Sequence, residues 1–132
     1  MNKVQAIHNF WSSFGIPAYD ESTVPNKIWD ASQQKMVPLE MPYITYNVSV
    51  DKFENTIGLH ASVWDHSTSW EWITEKVDEI ARKLSDKGSY LVKIDDGYVW
   101  FKSGTPFAQR MQDDDTTRRV YINIEVEFLT RN

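Results

Sequence analysis

Thr68-Ser69-Trp70-Glu71-Trp72-Ile73 opens the segment on which the reading of this chain turns. From Trp70 onward the apolar residues Ile73, Val77, Ile80 and Leu84 recur at three- and four-residue steps, the period of one helical face. Thr68 followed by Glu71 has capping-box spacing, in which each side chain satisfies an orphaned backbone amide. Glu71 and Glu75 come early and Arg82, Lys83 and Lys87 late, the order the helix dipole favours. Asp78 with Arg82 and Glu79 with Lys83 are spaced for i,i+4 ion pairs, worth roughly a few tenths of a kcal/mol each. Gly88 predicts the end of the helix. A helix with one apolar face needs a sheet to cover, and Trp70 is expected in the core between them. Trp72 falls about 200° away around the helix, alongside Lys76, Glu79 and Lys83. An aromatic on that polar face is either a partner surface or a ring folded back beneath the preceding loop.

The flanking segments read as strands. Upstream, Tyr43 to Val50 alternates, with Ile44, Tyr46, Val48 and Val50 on one side and Tyr43, Thr45, Asn47 and Ser49 on the other. Asp51 to Asn55 predicts a polar connection to a second strand. That strand turns Ile57, Leu59, Ala61 and Val63 inward and Gly58, His60, Ser62 and Trp64 outward, and the two pair as an antiparallel hairpin. Downstream, Tyr90 to Ile94 and Tyr98 to Lys102 flank Asp95-Asp96-Gly97, a turn that tolerates positive φ. Ser103 to Thr117 reads as a flexible loop. The last strand sets Val120, Ile122, Ile124, Val126 and Phe128 against Arg119, Tyr121, Asn123, Glu125 and Glu127.

Toward the N-terminus, Val4, Ile7, Phe10, Trp11 and Phe14 predict a first amphipathic helix over residues 3 to 14, capped by Asn2 and ended by Gly15 and Pro17. His8 sits beside its apolar face as an edge or packing residue. Residues 16 to 42 form a long irregular arm punctuated by Pro17, Pro25, Pro38 and Pro42. Within it, Lys27-Ile28-Trp29 and Lys35-Met36-Val37 are spaced for a small hairpin around Asp30 to Gln34. Either the arm folds over its own core or it completes itself on a neighbouring subunit. The expected order is α-β-β-α-β-β-β: a single α+β domain over residues 1 to 132, with helices on one face of an antiparallel sheet.

Composition excludes several functions. The 132 residues suit one domain with a real core. A net charge of -5 and a pI near 5.1 oppose the basic footprint that nucleic-acid binding requires. There is no cysteine, so no disulfide, thiolate metal site or thiol nucleophile is possible. Met1-Asn2-Lys3-Val4 leads into an amphipathic segment rather than an apolar signal core, and no apolar run reaches membrane-spanning length, so a soluble protein made in the cytoplasm is expected. Aromatics reach 14%, and such residues fill both cores and interfaces.

Catalytic motifs are thin. His8, His60 and His66 have no metal-site spacing, although His60 and His66 with Asp65 could meet across the strand-to-helix turn. No phosphate-binding glycine loop or nucleophile elbow occurs. No catalytic residue, cofactor or metal ligand is therefore expected. Asp113, Asp114 and Asp115 form an acidic run followed at once by Arg118 and Arg119, which pair with their own loop or with a neighbouring subunit.

Three stretches together resemble the small tail terminator, or tail-to-head joining, proteins of phages and prophages of Gram-positive bacteria. They are Gly15-Ile16-Pro17-Ala18-Tyr19 with Val24-Pro25, Leu39-Glu40-Met41-Pro42-Tyr43-Ile44-Thr45-Tyr46, and Ala61-Ser62-Val63-Trp64-Asp65-His66-Ser67-Thr68-Ser69-Trp70. The insert from Asn26 to Val37 is longer than the family pattern. The resemblance implies an α+β subunit that forms a ring, often a hexamer, at the head-proximal end of the tail. Its partners would be other copies of itself, the tail tube protein and the head-completion or connector protein, with DNA only passing through. It implies a place in the virion tail or neck and no enzymatic activity. On surface arguments, Trp29, Met36, Trp72, Lys76, Arg118 and Arg119 are candidate interface residues, and Asp113, Asp114 and Asp115 a candidate channel-facing loop. A competing reading is a small-molecule-binding or isomerase-like α+β domain, with Tyr46, His60, Trp64 and Tyr98 lining a pocket in a curved sheet.

Overall fold

A computed structural model describes residues 1–48, 56–85 and 90–130. The expected connection at Asp51 to Asn55, the last two residues of the first expected strand (Ser49 and Val50), Lys87 and the terminator Gly88 lie outside the described residues.

Helix α1 spans Lys3–Ser12, two residues shorter than its apolar pattern. Asn2 accepts from the backbone of Gln5, and the Gln5 side chain accepts from the backbone of Asn2, a complete capping box. Ala6, Ile7, Phe10 and Trp11 are its buried face. Helix α2 spans Glu71–Ser85, with Ile73, Ile80 and Leu84 buried.

The start of α2 differs from expectation. The Thr68–Glu71 capping box does not form. Instead Ser69 Oγ accepts from the Glu71 amide at 3.1 Å, and Ser67 Oγ accepts from the Ser69 amide at 2.9 Å. The Ser69 hydroxyl, one residue closer to the helix than Thr68, supplies the same kind of acceptor. The expected ion pairs along α2 are also replaced. Glu79 pairs with Lys76 at 3.3 Å, while Lys83 turns away to donate to Ser13 Oγ and to lie over the Phe14 and Tyr90 rings. Packing against α1 outweighs a solvent-screened pair on one helix.

The strands are β1 (Ala18–Asp20), β2 (Lys27–Asp30), β3 (Lys35–Pro38), β4 (Tyr43–Tyr46), β5 (Thr56–His66), β6 (Tyr90–Ile94), β7 (Gly97–Gln112) and β8 (Thr117–Thr130). Six of them form a sheet in the order β1-β4-β5-β8-β7-β6, and β2 and β3 form a separate two-stranded hairpin. The chain is α+β, but the sheet is mixed rather than antiparallel. Ala18-Tyr19-Asp20 pairs in parallel with Ile44-Thr45-Tyr46, because the arm returns the chain to run beside its own start. The arm of residues 16 to 42 is thus partly strand, and the element order gains β1, β2 and β3.

The second irregular segment is also a strand for most of its length. Residues 103 to 112 continue β7, with a register irregularity between Ser103 and Ala108. Gly104 and Pro106 obscure the pattern here because they serve the bulge. Asn123 Nδ2 donates to Pro106 O at 2.9 Å, and a Cβ on Gly104 would come within 2.9 Å of Asn123.

Besides the small β2–β3 hairpin, the two larger hairpins read from pattern are present. Tyr43 pairs with Trp64 and Tyr46 with Ala61 across β4 and β5, and Leu91 with Trp100 across β6 and β7. Gly97 has φ +153°, and an added Cβ would sit 2.2 Å from Leu129 O. The inward residues Leu59, Ala61, Val63, Val99, Phe101, Val120, Ile122, Ile124, Val126 and Phe128 join both helices in one core. Helix α1 contacts both edge strands, β1 and β6, so the curled sheet wraps around it. Trp70 is not in the core as expected. It is half-buried at the margin, with the Arg110 and Arg118 guanidinium groups 4.6 and 5.1 Å from its ring centre.

Candidate functional site

Among the described residues, the β2–β3 hairpin pairs only with itself. Trp29 stands directly opposite Met36, and Ile28 opposite Val37, so alternation puts Trp29, Met36 and Lys27 on one face. That face is open: Trp29 is 61% exposed and Met36 54%. Asp30 accepts from the Ser32 amide and hydroxyl and from Gln33, which tightens the turn and holds its carboxyl below the usual range. The base closes through Leu39 N to Asn26 O at 2.9 Å. The hairpin is locally well built yet leaves a tryptophan in water.

Trp72 and Lys76 are less open. Trp72 is half-buried and packs against the core, with Lys76 Nζ 5.7 Å from its ring centre. Lys76 Nζ also donates to Phe14 O at 2.7 Å, which ties α2 to the end of α1. Trp72, Lys76, Glu79 and Arg82 line a shallow polar groove on the outer side of α2.

Arg118 and Arg119 are engaged within their own chain. Arg119 donates through Nε and Nη2 to Asp113, both at 3.1 Å, and lies 4.8 Å from the Trp64 ring centre. Arg118 donates to Thr68 O at 2.8 Å. Asp114 turns its carboxylate back onto Thr116, and those hydrogen bonds lower its pKa. Asp115 is the one carboxylate of the three with no hydrogen bond or ion pair among the described residues.

The pocket candidates do not converge. Tyr46 points into the core, 4% exposed, with its hydroxyl 2.6 Å from His8 Nδ1. Ser12 Oγ lies 3.2 Å from the other ring nitrogen, so His8 bridges helix and sheet. His60 and Trp64 are on the opposite face of the sheet. There His60 stacks on Tyr121 and approaches Glu21 at 3.3 Å, and Trp64 donates to Thr45 at 2.9 Å. Tyr98 lies at the far edge beside Leu129. His60 and His66 share β5, roughly 20 Å apart at strand rise, so they do not meet across the turn. No group of three or more His, Asp or Glu residues is placed to hold a metal among the described residues. No helix among them is long and apolar enough to cross a membrane.

One surface escaped the pattern reading. On the outer face at the β6 edge, Leu91 is 52% exposed, Tyr98 43% and Leu129 45%. Tyr98 pairs directly with Leu129, and Leu91 with Trp100. Trp100 is covered by Lys102, whose Nζ lies 3.9 Å from the ring centre and pairs with Glu127. The signal was the Asp-Gly turn, whose register fixes Leu91 and Tyr98 on the side opposite Val92 and Val99. No protein-family model matches the chain, nor does any curated protein or any solved structure.

Proposed function

We propose that this chain is a structural, non-enzymatic component of a phage tail, a terminator or tail-to-head joining subunit that assembles into a ring, in the first instance a hexamer. In this reading its helices pack on one face of the sheet, as in a terminator subunit, and the ring caps the tail tube and docks to the head connector. The observation that carries it is the self-paired hairpin, which presents Trp29 and Met36 side by side to solvent. Isolated apolar side chains on a surface are ordinary, but a projecting pair on a preformed hairpin is a contact device. The resemblance over Leu39 to Tyr46 and Ala61 to Trp70 supplies the tail assignment. A net charge of -5, with Asp115 unpaired among the described residues at a loop tip, suits a passage through which DNA moves without adhering. The small-molecule reading draws no comparable support, since its four residues are divided between two faces of the sheet.

The test is native mass with negative-stain imaging of the purified protein, alone and with tail tubes. Closed rings, or caps at tube ends, are expected. A chain that stays monomeric and leaves tube ends bare overturns the reading.

A further inference from the structure

We draw no further inference here: the strongest candidate, the pocket at the β7–β8 turn where Arg110 and Arg118 flank Trp70, is lined as well by Asp113, Asp114 and Asp115, so it has no net positive charge to hold an anion and nothing in it selects another ligand.

Discussion

Phe10 of helix α1 and Phe101 of strand β7 stack face to face, their ring centres 4.6 Å apart and their planes 10° from parallel. Phe14 and Trp11 meet Phe10 edge-on, and Tyr90 lies 5.6 Å away. This cluster holds the first helix inside the curl of the sheet. Phe10→Ala is expected to cost about 3–5 kcal/mol through lost transfer energy and an unfilled cavity. Urea unfolding measures it, and a loss below about 1 kcal/mol would show that the helix is held elsewhere.

Gly97 closes the β6–β7 turn against the backbone of Leu129. An alanine there meets Leu129 O at 2.2 Å and must hold φ near +153°. Gly97→Ala is expected to destabilise the chain by more than about 1 kcal/mol, the sign reversed from the gain at a permissive glycine. Gly58→Ala is the control, since no atom lies within 4 Å of its added Cβ.

Lys76 ties α2 to the end of α1 and Trp72 packs partly against the core, and both also face the solvent. Lys76→Met removes the donor to Phe14 O and is expected to cost about 1–3 kcal/mol. Trp72→Ala is expected to cost roughly 1–3 kcal/mol in the isolated chain, because half of the ring is already packed. Thermal melts of dilute protein check both. Unchanged melting would place the two residues on a contact surface alone.

Burial, and after it the negative charge of Asp20, raises the pKa of Tyr46 above 10.0, and burial followed by Tyr19 does the same for Tyr43. The unfolded chain therefore loses these protons first as pH rises. Their contribution to stability is complete below about pH 10 and falls as pH climbs toward the folded values. Urea midpoints across the alkaline range should decline from that point. Tyr46→Phe should flatten the decline while lowering the stability at neutral pH by about 1 kcal/mol, through loss of the bond to His8.

Long, unbroken periodicity was legible in the sequence. Residues 120 to 128 and 73 to 84 show their buried faces directly, and the Asp-Gly turn and the Asn2 cap carry local chemistry that fixes geometry. What stayed hidden depended on partners distant in sequence. Ala18 to Asp20 is a strand only because residues 44 to 46 lie beside it in parallel, and three residues carry no period. Residues 103 to 112 lost their alternation to a bulge that serves Asn123. At the candidate surfaces, the pairing of Lys27-Ile28-Trp29 with Lys35-Met36-Val37 was legible from spacing, while the exposure of Trp29 and Met36 was not. Nor was the commitment of Arg119 to Asp113 and Trp64, since it depends on where β7, β8 and β5 meet.

The closure of the β2–β3 hairpin by a single bond between Leu39 N and Asn26 O makes the arm a cassette. Everything from Lys27 to Pro38 can be lengthened, exchanged or excised by joining two residues that already touch. The parallel pairing of β1 with β4 and the core beneath it make no demand on the segment's contents. The segment can therefore be replaced by a short turn, and a chain shortened in this way should keep the fold of the rest of the domain.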